Sequence, residues 1–413
     1  MKKFKLVFIA GLGTMFESFD FYLFSLFAIQ LNYAFFGSVN KHSVLWIFII
    51  FAVGYLARIS GALIFGYWGD KQGRVHSFKK TIVVMALSSI AMAFIPPHQY
   101  IGVFAVVFLI ALRFIQGVSF GGEISGAVII ISEKYKKHVP ILIMCIVLMS
   151  VVGVLLAQGT YMLLSTYMSH EAFTQYGWRI AYVFGGLMIF HSYNARKNIA
   201  ESDEFKNSIK RGEYKNTIEV MFSDYKVVLM LSILALVGIQ LFWGAFMVYL
   251  PSFISLKYAR PDLTTHITTF ILFGMVLGGI IGAVLANITN IRAVYSIGSL
   301  LSLVLILPMY LAISSASWIT LYIYCFAFAL PHGACGVLGL LLLTRRLPVR
   351  YRYTLLATAF AFSAFLFIGI PPFILSYFTR ESSMYIPMLV LGIGYFIQLI
   401  AVQIFYKKTA IEV

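Results

Sequence analysis

Two acids and two bases stand inside otherwise apolar runs of this sequence. Glu17 and Asp20 are three residues apart in one run, and Arg58 and Arg113 sit at comparable depth in two others. An ionised side chain held in hydrocarbon costs roughly 2.5–3.5 kcal/mol on insertion scales, so charges placed there are candidates for chemistry. A spacing of three puts both carboxyl groups toward one side of a helix. Apolar surroundings favour the neutral carboxyl and a neighbouring guanidinium favours the ionised one, so a change of neighbours can move a proton. Glu17, Asp20, Arg113 and Arg58 therefore form a candidate proton relay, weighed against fixed ion pairs that merely tie helices together. Arg113 also has Gln116 and Gly117 at i+3 and i+4, which gives one face a charge, an amide and a close-approach site. Such a face can hold a carboxylate.

The elements that position these groups are membrane helices. Of 413 residues, 61% are apolar and only 11% charged, whereas soluble domains carry about 25% charged residues. The apolar residues fall in runs of roughly 18 or more, the length that crosses hydrocarbon as an α-helix. Runs near 6–36, 44–68, 80–96, 101–131, 141–168 and 176–193, then 226–256, 266–287, 292–313, 317–343, 353–378 and 384–406, predict twelve spans in two groups of six. The first run continues past Leu26 without a small-residue cleavage pattern and reads as a span instead of a leader. Residues 1–193 and 226–413 are expected to form two pseudo-symmetric halves, joined by a polar linker at 194–225. The expected fold class is thus all-α and membrane-spanning.

Most of the 31 Lys and Arg residues lie on the side shared by both termini and the linker, from Lys2 and Lys3 through Lys71, Arg74 and Lys134 to Arg345, Lys407 and Lys408. By the positive-inside rule that side is cytoplasmic. The net charge of +16 is then a topology signal with some attraction to anionic lipid, and nucleic acid is not an expected partner. Cys145, Cys325 and Cys335 show neither metal-ligand nor redox spacing. Neither a nucleophile-base pair nor a phosphate loop is evident, so no enzyme activity, cofactor or metal is expected.

Acids are unequally shared. Between Lys226 and Lys408 only Asp262 and Glu381 occur, both in expected external loops. A carboxylate that carries protons must therefore belong to the first half. Substrate contacts in the second half would come from neutral groups such as Gln240, Trp243 and Tyr249, with aromatic faces able to hold a cationic headgroup. His332, beside Pro331 and Gly333, is the one titratable alternative deep in that half, and Pro331 with His332 marks an expected helix break.

At Gly66-Tyr67-Trp68-Gly69-Asp70-Lys71-Gln72-Gly73-Arg74 the chain resembles the G-x-x-x-D-(R/K)-x-G-(R/K) loop of the major facilitator superfamily. Gly66, Asp70, Gly73 and Arg74 would latch the cytoplasmic side, and Glu123 is a further gate candidate, expected to meet the cations near Lys71 and Arg74. Phe16 to Phe24 is similar to the E-(W/Y/F)-(Y/F)-D-F-Y-L-F signature of the metabolite:proton symporters, which include carriers of proline and betaine, shikimate, citrate and α-ketoglutarate. Gly54-Tyr55-Leu56-Ala57-Arg58, Arg113-Phe114-Ile115-Gln116-Gly117, Gly121-Gly122-Glu123, Gly177-Trp178-Arg179-Ile180 and Glu201-Ser202-Asp203-Glu204-Phe205 extend that resemblance. In the second half only Tyr249-Leu250-Pro251-Ser252-Phe253 and Arg350-Tyr351-Arg352-Tyr353-Thr354 look family-like. The repeat of the latch there has Asn287 where an acid is expected, and Arg345-Arg346-Leu347 precedes Pro348 without one, so a weak or differently built second latch is expected. No heptad run follows Lys408.

The resemblance implies a secondary active transporter of the inner membrane, working as a monomer, that couples protons to uptake of a carboxylate, amino acid or zwitterionic osmolyte. Two alternatives stay open. Efflux of an amphipathic compound is disfavoured because Ser150 to Ala157 lacks the glycine-proline motif of antiporters. A non-transporting receptor is favoured only by the lost acid at Asn287.

Overall fold

The computed structural model describes residues 2–37, 41–196, 199–210, 217–250, 261–314, 318–378 and 385–409. Lys197, Arg211, Lys215, Pro251-Ser252-Phe253, Lys257, Arg260, Arg380 and Glu381 lie outside the described residues. Among the described residues all regular structure is helical.

The first span, Lys2–Leu26, is continued by Ala28–Phe36 past a break at Phe27. The second, Lys41–Gln72, turns through Gly73 into the third, Arg74–Ala93. Gly73 has φ 127°, a value that side chains other than glycine's rarely tolerate. The fourth span comes in two pieces, Phe104–Phe120 and Glu123–Lys134; the fifth, Val139–Tyr167, and sixth, Trp178–Arg196, complete the first half. Two short helices follow, Asp203–Lys210 and Thr217–Ser223. The seventh span begins as Lys226–Leu234, resumes as Val237–Phe242 and ends in a π-helical turn, Trp243–Tyr249. Then come the eighth, Pro261–Ile288, the ninth, Ile291–Ser314, and the tenth, Trp318–Thr344. The eleventh, Arg352–Ala364, passes through a π-turn at Phe365–Gly369 into Pro371–Phe378, and the twelfth is Tyr385–Thr409.

Nine helices among the described residues are long and apolar enough to cross a bilayer, and ten if the bent seventh is one span. The third and sixth complete the twelve. Both are more polar, the third opening on Arg74, His76, Lys79 and Lys80, and they pack on each other so closely that a Cβ at Gly186 would lie 2.3 Å from Ile90 Cγ1.

Small residues set the register of the second span against the fourth. A Cβ at Gly61 would stand 1.9 Å from the Val118 carbonyl oxygen, and one at Gly117 would stand 2.1 Å from that of Gly54. Close backbone approach is the usual adhesive between membrane helices, where no hydrophobic force distinguishes neighbour from lipid. It brings Arg58 and Arg113 to fixed places on either side of the seam.

The expected helix break at Pro331 and His332 is not observed. The tenth span runs unbroken through Pro331. A Cβ at Gly333 would lie 2.1 Å from the Met275 carbonyl oxygen, so the eighth span is pressed against this turn. Such packing holds a proline-containing membrane helix in one piece. The break lies instead in the seventh span, which bends by 43° between Leu234 and Val237. Its backbone groups find partners on neighbouring helices: Tyr295 donates to the Ala235 carbonyl at 2.5 Å, and Gln398 accepts from the Ile239 amide at 3.1 Å. In hydrocarbon such groups must be satisfied within the protein.

Candidate functional site

A cavity of about 160 Å³ lies between the halves. The first and second spans supply its charged wall, with Glu17, Tyr22, Tyr55 and Arg58; the seventh supplies Gln240 and Trp243, and the tenth Gly333 and Gly336. Arg58 Nη1 meets Glu17 Oε1 at 2.8 Å, and both side chains are buried. The guanidinium lies 4.4 Å from the Phe21 ring centre and 4.6 Å from that of Tyr55. Across the cavity Gln240 Nε2 donates to Ser363 Oγ at 3.1 Å. Tyr249 is buried on the seventh span but is not among the cavity residues.

Glu17 and Asp20 do not act on one surface. Three residues along a helix differ by about 60° in direction, and that angle suffices to send one carboxylate to the cavity and the other into the first half. Asp20 Oδ1 accepts from Ser89 Oγ at 2.5 Å and from Gln116 Nε2 at 3.2 Å, while Oδ2 is 3.4 Å from Arg113 Nη1. Arg113 also donates to Gln116 Oε1 and to the Tyr182 hydroxyl, each at 3.1 Å, and its guanidinium lies 3.7 Å from the Phe24 ring centre. Asp20, Arg113 and Gln116 are all absent from the cavity wall. Of the two intramembrane arginines, Arg58 is therefore the one a cavity ligand can touch.

Asp70 stands where the second span meets the eleventh. Its Oδ2 accepts from the Thr354 amide at 2.9 Å and the Thr354 hydroxyl at 2.6 Å, and Oδ1 accepts from the Tyr353 amide at 3.3 Å. A carboxylate thus caps the first turn of the helix Arg352–Ala364, where free amides and the helix dipole favour negative charge. Arg74 pairs with Asp70 and donates to the Val349 carbonyl at 2.6 Å. Gly66 is what lets the helices meet, since a Cβ there would lie 2.8 Å from Thr354 Cα.

Glu123 does not meet Lys71 or Arg74. It pairs with Arg196 at the end of the sixth span and accepts from Thr81 Oγ1 at 2.8 Å. Arg74 is already occupied by Asp70 and by Glu133, 3.5 Å away. Glu123 therefore ties the fourth span to the third and sixth, while Glu133 and, from the linker helix, Glu204 add to the contacts that Asp70 and Arg74 make with the second half. Arg352 lies 3.4 Å from Glu133 and 2.9 Å from Glu204, and Lys136 holds the other oxygen of Glu204 at 2.5 Å. Glu201 accepts from the Arg74 and Val75 amides at 3.0 and 2.5 Å, capping the third span. Sequence reasoning did not assign roles to Glu133, Arg196, Glu201, Glu204 or Arg352, although Glu201, Glu204 and Arg352 stand in the family-like segments.

The corresponding loop in the second half is built differently, with Arg292 donating to Gln403 at 2.9 Å. Asn287 makes a neutral contact of 3.3 Å with His138. Deeper in that half, His332 Nδ1 lies 2.7 Å from the Tyr395 hydroxyl and its ring stacks on Phe242 at 3.7 Å between centres. His332 does not line the cavity.

The fold is that of the major facilitator superfamily, and the chain resembles metabolite transporters of that kind. The family model described as sugar (and other) transporter matches residues 6–193. Full-length similarity runs to a glycine betaine/proline/ectoine/pipecolic acid transporter, OusA, of Dickeya dadantii (strain 3937), 26% identical over 97% of this chain and 82% of the relative. The shikimate transporter of Escherichia coli (strain K12) is 26% identical over 88% of this chain and 84% of its own length. Among solved structures, the proton:xylose symporter XylE bound to 6-bromo-6-deoxy-D-glucose superposes with a TM-score of 0.82 at 15% identity, covering 98% of this chain and 95% of that one. Against the inward-open form of XylE from E. coli, at 16% identity over 98% of this chain and 96% of that one, the TM-score is 0.70.

Proposed function

We propose that this chain is a bacterial inner-membrane carrier, with both termini cytoplasmic, that takes up a small organic metabolite together with protons by alternating access. The halves 1–193 and 226–413 rock about the central cavity, joined by the cytoplasmic linker 194–225, and a single copy is the working unit. Its cargo belongs to the class named by its relatives: amino acids, zwitterionic osmolytes and carboxylates. Nucleic acid has no part in this cycle, since the basic excess serves topology.

The observation that carries this reading is the division between the two acids. Asp20 is sealed with Arg113, Gln116, Ser89 and Tyr182, away from the cavity, whereas Glu17 and Arg58 face it. A proton held on Asp20 leaves the cavity free for cargo. Protonation relaxes the 3.4 Å contact with Arg113, and Gln116 and Tyr182 keep the guanidinium hydrogen-bonded. Closure on the Asp70 side leaves the site to be reached from the opposite face.

Proteoliposomes with an imposed pH gradient test this against proline, glycine betaine and shikimate. Gradient-dependent accumulation of at least one supports symport, and binding without flux would identify a receptor. In Asp20→Asn, accumulation driven by the gradient should fall to the level seen without one, while exchange of labelled for unlabelled cargo persists. Undiminished gradient-driven uptake in that variant would move the proton to another group.

A further inference from the structure

Among the described residues, Glu17 Oε2 is the one buried carboxylate oxygen that lacks a hydrogen-bond partner. Its twin, Oε1, is taken by Arg58 at 2.8 Å. One helical turn earlier, the Thr14 hydroxyl is also buried and unpartnered. Thr14, Glu17 and Arg58 all line the central cavity, and Arg58 Nε has no partner either. Asp20 offers a control on the same helix, since donors reach both of its oxygens. Buried polar atoms are almost always paired, and one left open at a cavity wall marks where a ligand atom belongs.

The free oxygen of Glu17 has a chemical sign. A carboxylate oxygen accepts hydrogen bonds and cannot donate them, so its partner must carry an N–H or O–H. Arg58 supplies the opposite requirement, an anionic oxygen. The wall also carries the rings of Phe21, Tyr22, Tyr55 and Trp243, of which Phe21 and Tyr55 lie against the Arg58 guanidinium. Size gives a further limit: the cavity of about 160 Å³ is comparable to an engineered cavity of about 150 Å³ that holds one benzene ring.

We infer that the cavity selects a ring-sized zwitterion whose cationic nitrogen keeps at least one N–H, placed on Glu17 Oε2, with its carboxylate on Arg58. This rests on the transport reading for the site's use, but the selection is a property of binding alone. A quaternary ammonium of equal size and charge lacks the donor. It would desolvate Glu17 Oε2 and leave it unpaired, which is how polar sites reject close analogues.

The test is equilibrium binding to the purified full chain in nanodiscs. The probes are L-proline, N-methyl-L-proline, N,N-dimethyl-L-proline and cyclopentanecarboxylate, which share one ring and differ in their N–H count. Proline and its monomethyl form should bind. The dimethyl form and the nitrogen-free acid should each be weaker by roughly tenfold to a hundredfold, the range for losing a hydrogen bond to a charged group. In Glu17→Gln the preference for proline over its dimethyl form should shrink to about threefold or less. Equal or tighter binding of the dimethyl form or of the nitrogen-free acid, or binding of none of the four, overturns the inference. If Glu17→Gln does not fold, the ligand series on the unaltered chain decides alone. Binding with the expected selectivity but no gradient-driven flux would reject symport and leave this inference standing.

Discussion

The two halves solve the same burial problem with different chemistry. In the first, charges are buried in pairs, Glu17 with Arg58, Asp20 with Arg113, and Glu123 with Arg196. In the second, Arg352 pairs with acids outside its own half, and the deeper polar pairs are hydrogen bonds without ion pairing: His332 with Tyr395, Gln398 with Ser299, and Gln240 with Ser363. The loops follow suit, with Asp70 capping the eleventh span and Asn287 making one amide contact to His138. Ion pairs fix geometry at a high cost if one member is removed. Neutral hydrogen bonds let a helix bend, as the seventh does by 43°. The first half thus buries charge in pairs, and the second buries hydrogen-bonded groups around a bent seventh span.

Removing Asp70 should strain this contrast most. In Asp70→Ala the Thr354 and Tyr353 amides lose their acceptor and Arg74 loses one of its two acidic partners, a loss of about 3–5 kcal/mol for a buried pair. Thermal unfolding should show it, and single cysteines at the interface near Gly66 and Thr354 should become more reactive toward a membrane-impermeant reagent. Gln398→Leu comes next. It leaves the Ile239 amide without its partner and takes one donor from Ser299, which keeps its bond to the Tyr295 carbonyl, costing about 1–3 kcal/mol. A cost equal to that of Asp70→Ala would erase the distinction between halves. Asn287→Ala should stay within about 0.5 kcal/mol of the unaltered chain, and a larger loss would reveal a second true latch.

The smallest effect is expected at the linker. Burial pushes the Glu204 carboxyl up, but hydrogen bonds from Lys136 and Arg352 and their charges outweigh it, so the group stays below its ordinary value of 4.5. An acid held low in the folded state stabilises it fully above that ordinary value and loses this as pH falls through the lower folded value. Melting temperatures of the unaltered chain and Glu204→Gln should therefore differ by a constant amount from pH 7 to about 5 and converge in stronger acid. A difference that grows as pH falls toward 4 would reverse the sign.

Much of this was legible in the residues, because hydrocarbon permits few alternatives. Span number follows from hydropathy, and the glycine-acid loop marks Asp70, whose carboxylate meets the eleventh span. The separate destinations of Glu17 and Asp20 were not legible, since a spacing of three leaves an angle that only the neighbouring helices resolve. Pro331 misled because packing against Met275 holds the helix together there, while the bend sits in the seventh span at Leu234 to Val237, with no proline among those residues. Glu123 and Arg196 are 73 residues apart, so only the packed fold brings them together. A weak or differently built second latch was expected from Asn287 and from Arg345-Arg346-Leu347; in the fold Asn287 lies 3.3 Å from His138 and Arg292 donates to Gln403 at 2.9 Å.

The pairing of Glu17 with Arg58, Asp20 with Arg113 and Glu123 with Arg196 has a consequence for the membrane's electric field. Each pair is neutral and lies entirely within the first half. When that half rotates against the other, no net fixed charge from these pairs is carried across a potential that does about 2.3 kcal/mol of work per elementary charge per 100 mV. Voltage then acts on the cargo together with the proton that enters with it. A protic zwitterion entering with one proton would register as a single charge per turnover, and an equally small monocarboxylate entering with one proton would register as none.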